Sequence, residues 1–120
     1  MNDTKFDTVL WLDDIRDPRT FPWLNNHYIR YADTVVWVKT FDQFVEYIKA
    51  HGFPSVISFD HDLADPKHDG SGYACAKWLV EYCQDHDLDL PEYGVHSANP
   101  VGAENIHTLL HSYTRHQSNK

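Results

Sequence analysis

The chain has 120 residues, enough for one domain (1–120) with a real core and little left for a second. A composition of 42% hydrophobic and 14% aromatic residues excludes a disordered tail. The formal charge of −8 argues against binding duplex DNA, which needs a basic face to neutralise phosphates. A small phosphorylated ligand stays open if a metal ion supplies the missing positive charge.

Cys75 and Cys83 fall in one expected helix, more than two turns apart and too distant to bridge each other. There is no apolar run of membrane length and no signal-peptide pattern around Asn2, Asp3, Lys5 and Asp7. These features lead us to expect a soluble protein of a reducing cytoplasm, with no membrane partner.

In chain order, a first strand is expected over Thr8–Leu12. The segment from Ile15 to Asn26 carries Pro18, Pro22 and an Asn pair, which disfavour a long helix and predict a structured loop. Val35–Val38 forms a second strand. Thr40 and Gln43 have capping-box spacing, and Phe41, Phe44, Val45 and Ile48 then share one helical face until Gly52 and Pro54 stop the helix.

The central strand is Val56-Ile57-Ser58-Phe59, too short for a helix and rich in β-branched and aromatic residues. It runs into Asp60-His61-Asp62, in which alternation sends the two acids one way and the histidine the other. A turn-rich loop leads through Gly70 and Gly72 to a helix over Tyr73–Asp85, with Tyr73, Ala76, Leu79, Val80 and Cys83 facing inward. A last strand, Tyr93–Ser97, precedes Asn99-Pro100, a helix N-cap followed by proline at the first helical position. The final helix turns Ile106, Leu109, Leu110 and Tyr113 inward, and the ending from Arg115 to Lys120 reads as frayed.

Strands alternating with helices predict an α/β fold: an open, doubly wound parallel sheet with helices on both faces. With about four strands in the order 2-1-3-4, ligands bind where the order reverses, between the first and central strands. That crevice brings Asp13, Asp14 and Asp60 together, with His96 and Ser97 one strand further on.

Three converging carboxylates repel one another unless a cation sits among them, and Mg²⁺ or Mn²⁺ is the usual solution for hard oxygen donors. The plainer alternative is that Asp14 caps a turn, or that the acids are solvated loop residues. Asp62 and His61 stand ready to add a ligand or an acid/base group, although a structural hydrogen bond also accounts for His61. The His-Asp pair recurs at His68-Asp69 and His86-Asp87, so the dipeptide carries little information. His96-Ser97-Ala98-Asn99-Pro100 joins a strand end to a helix start, where free amides and the positive dipole end hold a phosphate. There His96 could protonate a leaving oxygen, with Ser97 or Asn99 donating hydrogen bonds; the plainer alternative, compatible with it, is that Asn99 is only the N-cap and Ser97 caps a turn. Arg16 is the nearest cation to the acids and a candidate phosphate clamp. Trp11, Trp37 and Trp78 occupy core-like positions, whereas Trp23 lies in the early loop, where it could stack on a base.

Taken together, Leu12-Asp13-Asp14-Ile15-Arg16-Asp17-Pro18, Ser58-Phe59-Asp60-His61-Asp62-Leu63, Gly72-Tyr73-Ala74-Cys75 and Val95-His96-Ser97-Ala98-Asn99-Pro100-Val101-Gly102 resemble the cyclic-phosphate-processing receiver-like domains of bacteria and phages. The resemblance spans nearly the whole chain, with its motifs in order. It implies a truncated receiver-type, flavodoxin-like fold and a role in processing cyclic phosphates on RNA ends or nucleotide derivatives. Compared with phosphoacceptor receivers, Asp13 and Asp14 match the acidic pair, Asp60 the phosphoacceptor and Ser97 the hydroxyl residue. No fifth strand with its lysine follows, and a proline-bearing loop replaces the first helix, so phosphotransfer signalling is not implied.

The expectation is a small metal-dependent phosphoesterase. Asp13, Asp14, Asp60 and Asp62 hold the metal, and His96, His61 and Asp60 act in catalysis. Ser97, Asn99, Arg16 and Gly102 bind a small phosphorylated nucleotide-like ligand or an RNA terminus. A homodimer stays open. The alternative is an inactive receiver-like module that binds, senses or sequesters such a ligand.

Overall fold

A computed structural model describes residues 6–20, 26–60, 72–96 and 100–119. Four strands form one parallel sheet, β1 (Phe6–Leu12), β2 (Ala32–Val38), β3 (Val56–Phe59) and β4 (Glu92–Val95). Their spatial order is β2-β1-β3-β4, as the sequence predicts for an open receiver-like α/β sheet. The helices are α1 (His27–Arg30), α2 (Phe41–His51), α3 (Gly72–His86) and α4 (Pro100–Ser118).

Strand alternation divides the core in two. Leu10, Leu12, Ile57 and Phe59 face α2, α3 and α4, meeting Phe44, Ile48, Leu79, Cys83, Ile106 and Leu110. Each such side chain, fully withdrawn from water, stabilises the fold by about 1.5–3 kcal/mol. On the opposite face Val9, Trp11 and Val56 pack with Ile29 of α1, alongside Tyr28, Val35 and Trp37. Among the described residues, three helices therefore cover one face, while a helix of four residues packs on the other.

Local signals explain the element ends. The Thr40 hydroxyl accepts a hydrogen bond from the Gln43 amide at 3.1 Å. The Gln43 side chain reaches back one residue further than a capping box requires, accepting from the Lys39 amide at 2.8 Å. Gly52, at φ +78°, closes α2 with its amide on the Ile48 carbonyl at 2.8 Å.

Some boundaries differ from expectation. Helix α1 was not expected; it forms because the Asn26 side chain accepts from the amides of Tyr28 and Ile29. Strand β2 begins at Ala32 rather than Val35, paired with β1 from Phe6 onward. The ending read as frayed is helical through Ser118. Its last turns are tied to the α3–β4 connection by the Tyr113 hydroxyl and the Gln117 amide, both donating to the Leu88 carbonyl. No helix among the described residues is long and apolar enough to cross a membrane.

Candidate metal centre

Strands β1, β3 and β4 each hand their ladder on by one more hydrogen bond just past the C-terminal end. The Asp13 amide donates to the Val38 carbonyl, the Asp60 amide to Leu12, and the His96 amide to Phe59. These bonds fix three chemistry-bearing residues in the sheet's own frame rather than on free loops. Alternation then sends Asp13, Asp60 and His96 to the face that carries Trp11, Ser58 and Gly94 two residues earlier.

Asp13 is the centre of the arrangement, and its side chain is fully buried. Its Oδ1 accepts from the amides of Ile15 and Arg16, both at 2.9 Å, in a tight turn that reverses the chain after β1. Its Oδ2 faces His96 Nε2 at 3.0 Å and the Arg16 guanidinium at 3.5 Å. Burial alone pushes the Asp13 pKa up. The His96 hydrogen bond, the Arg16 and Ile15 amides and the imidazole's charge outweigh it and hold the carboxyl below the ordinary aspartate range. The group is therefore a carboxylate at neutral pH.

Asp60 is 2% exposed, and its Oδ2 lies 3.7 Å from the same Arg16 nitrogen. Asp14 is half-buried beside them. One carboxylate oxygen from each of Asp13, Asp14 and Asp60 lies within 4.8 Å of the others. Three hard, anionic oxygen donors at that spacing suit Mg²⁺ or Mn²⁺ and give nothing that a soft metal prefers. The cluster is compatible with a divalent cation.

The His96 ring is 1% exposed and engaged on every side. It stacks on the Trp11 indole at 3.6 Å between centroids with 7° between planes. Nδ1 lies 2.7 Å from the Ser58 hydroxyl. Because Asp13 is ionised and only accepts, Nε2 carries a proton toward it; in the neutral ring Nδ1 then accepts from the Ser58 hydroxyl. Ser58 is itself 1% exposed, in mid-strand, so it has no access to a ligand and serves only to orient the ring.

Two indoles hold the loop after β1. Trp11 Nε1 donates to the Arg16 carbonyl at 2.9 Å, and Trp37 Nε1 donates to the Asp13 carbonyl at 2.6 Å. Sequence reasoning placed both tryptophans in the core and gave Ser58 no role at the site. A lone hydroxyl in an otherwise apolar, fully buried strand was the signal available.

Of the residues expected at the site, Asp13, Asp14, Asp60, Arg16 and His96 come together. Gly102 is buried in the first turn of α4. His61, Asp62, Ser97 and Asn99 lie outside the described residues, as does Trp23.

A family model described as the cyclic-phosphate processing receiver domain matches residues 8–112. No curated protein matches the chain. Among solved structures, a fusion carrying the yeast Spc42 trimeric coiled coil aligns with a TM-score of 0.62 at 18% identity, covering 88% of this chain. This chain spans 63% of the length of that one, and at such low identity the likeness concerns the fold alone.

Proposed function

Because the chain belongs to the cyclic-phosphate processing receiver domain family, we propose that it is a metal-dependent phosphoesterase acting on a cyclic phosphate of a nucleotide derivative or RNA end. The observation that carries this reading is the convergence of three carboxylate oxygens within 4.8 Å at the sheet edge. Asp13, Asp14 and Asp60 hold the cation, and Asp62, two residues past Asp60, is a further candidate ligand. A bound Mg²⁺ or Mn²⁺ supplies charge to offset the phosphate oxygens and lowers the pKa of a bound water.

The chain's own groups divide the remaining work. Arg16 binds a phosphate oxygen, and Ser97, Asn99 and the first amides of α4 around Gly102 receive the others. His96 has both ring nitrogens engaged, and we assign it to holding Asp13 Oδ2 in place. His61 is the other histidine candidate for the proton to the departing sugar oxygen, a role that requires the chain to leave the extended alternation after Asp60 so that the ring reaches the acids' side. The rival reading is a module that binds or sequesters a phosphorylated nucleotide without turnover. It draws on the same His96 geometry, since a ring committed to positioning serves a binder equally well.

The deciding experiment assays ring opening or phosphate release from a panel of cyclic phosphates, including 2′,3′-cyclic nucleotides and cyclic phosphates of ADP-ribose, with and without Mg²⁺ or Mn²⁺. Metal-dependent opening that disappears in Asp60→Asn supports the esterase. Tight, metal-dependent binding with no turnover of any member refutes it in favour of the binding module.

A further inference from the structure

Arg16 has an anchored backbone and a guanidinium that reaches two of the site's carboxylates. Its amide donates to Asp13 Oδ1 at 2.9 Å and its carbonyl accepts from Trp11 Nε1 at 2.9 Å. Its guanidinium stands 3.5 Å from Asp13 Oδ2 and 3.7 Å from Asp60 Oδ2, both longer than a good charge-assisted hydrogen bond of about 2.7–2.9 Å. The side chain is 34% exposed, so it has solvent on one side into which to turn.

The oxygens it approaches are those a cation needs. Asp13 Oδ1 is already spent on two backbone amides, which leaves Oδ2 as the oxygen that can take a metal. Oδ2 has two acceptor directions, and His96 Nε2 uses one. The second serves either the guanidinium or a cation. At Asp60 Oδ2 a divalent ion and an arginine nitrogen 3.7 Å away would repel each other across one carboxylate.

We propose, building on the metal-dependent reading above, that Arg16 is a built-in counter-ion which a divalent cation displaces, and that the displaced guanidinium then becomes the phosphate clamp. Metal and phosphate binding are thereby coupled through one side chain. The cation frees the guanidinium, and a phosphate oxygen that engages it removes the competitor from the carboxylates. If the guanidinium occupies Asp13 and Asp60 nine-tenths of the time, it lowers the apparent metal affinity by about tenfold. By linkage, whatever phosphate contributes to metal affinity, metal contributes equally to phosphate affinity.

The test is Mn²⁺ titration followed by electron paramagnetic resonance, on the wild type and on Arg16→Gln, with and without millimolar inorganic phosphate. Thermal unfolding of each variant checks that the backbone contacts of residue 16 persist. Uptake of Mn²⁺ by the wild type decides the metal reading itself; the difference between the two proteins decides the role of Arg16. The expected result is that Arg16→Gln binds Mn²⁺ about tenfold tighter. Phosphate should tighten Mn²⁺ binding severalfold in the wild type and hardly at all in the variant. Equal or weaker Mn²⁺ affinity in a folded Arg16→Gln protein overturns the proposal, as does an equal response of both proteins to phosphate.

Discussion

Removing the His96 ring separates two jobs that a histidine at this position can have. In His96→Ala the Asp13 carboxylate loses a charge-assisted hydrogen bond of 3.0 Å, worth about 1.5–3 kcal/mol. The stack on Trp11 goes too, about 0.5–1.5 kcal/mol. The Ser58 hydroxyl, 1% exposed, is left without its imidazole partner, so the total loss of stability is about 3–5 kcal/mol. That is a large share of a small domain's margin, and His96→Gln, whose amide can still donate toward Asp13, is the variant to set beside it. If His96 works by orienting Asp13, Mn²⁺ affinity falls by about 10–100-fold in His96→Ala and recovers in part in His96→Gln. A general acid behaves differently: turnover drops by about 10²–10⁴ while metal affinity stays close to wild type. Metal titration by calorimetry, with unfolding curves to confirm that the variants fold, reads the difference directly. Unchanged Mn²⁺ affinity in a folded His96→Ala protein that has lost turnover would refute the positioning role and return the ring to acid catalysis.

Three further outcomes follow from local geometry. A methyl group at Gly94 would meet Tyr28 Cε2 at 2.5 Å, and that ring is tethered by its hydroxyl to the Tyr93 carbonyl, so Gly94→Ala should cost about 1–3 kcal/mol in urea unfolding. Wild-type stability in Gly94→Ala would mean that α1 is free to shift. Burial, aided by the Asp89 charge, pushes the Cys83 thiol up to about 11, so the unfolded chain releases its thiol proton first. Stability on this account is fully present below the thiol's ordinary value, near 8.5, and falls by up to about 3 kcal/mol as pH rises toward 11. Cys83→Ala should flatten that slope, and native Cys83 should resist iodoacetamide at pH 8; alkylation as fast as in urea would contradict it. Thr40→Ala removes the cap on the Gln43 amide and should cost about 1 kcal/mol, measured by the same unfolding curves.

The fold was legible because its signals are periodic and local. The short apolar runs Val9–Leu12 and Val56–Phe59 mark strands, and Thr40, Gly52 and Pro100 mark helix ends without reference to the rest of the chain. Alternating strands and helices then leave few topologies, and the observed 2-1-3-4 order is one of them. Helix α1 and the helical ending escaped because both depend on contacts far away in sequence. Four residues do not hold a helix by propensity. What holds α1 is the Asn26 cap, Ile29 buried against the sheet and the Tyr28 hydroxyl on the Tyr93 carbonyl.

The acids were legible for the same reason as the strands, since a carboxylate just past an apolar run has only the sheet edge to occupy. What the sequence did not display was the row of residues beneath them. Trp37, Trp11, Ser58 and Gly94 stand side by side across β2, β1, β3 and β4, each paired in register with the next. The row runs from two indoles to a hydroxymethyl to no side chain at all. The missing Cβ at Gly94 is where the Tyr28 ring sits, and the small Ser58 side chain stands 2.7 Å from the His96 ring that lies flat on Trp11. A larger residue at 58 would fill that space and push the imidazole off Asp13. The indoles, meanwhile, hold the carbonyls of Asp13 and Arg16. Residues that look like packing in one strand therefore set the geometry of the carboxylates above them. This function exists only in the pairing between strands, which no single stretch of sequence displays. Ser58→Ala tests the point in a single step. The swap adds no bulk beneath the ring, yet it removes the hydroxyl that orients His96. Mn²⁺ affinity should fall in a variant that still folds, and equal Mn²⁺ affinity in Ser58→Ala and wild type would show that the ring needs no orienting partner.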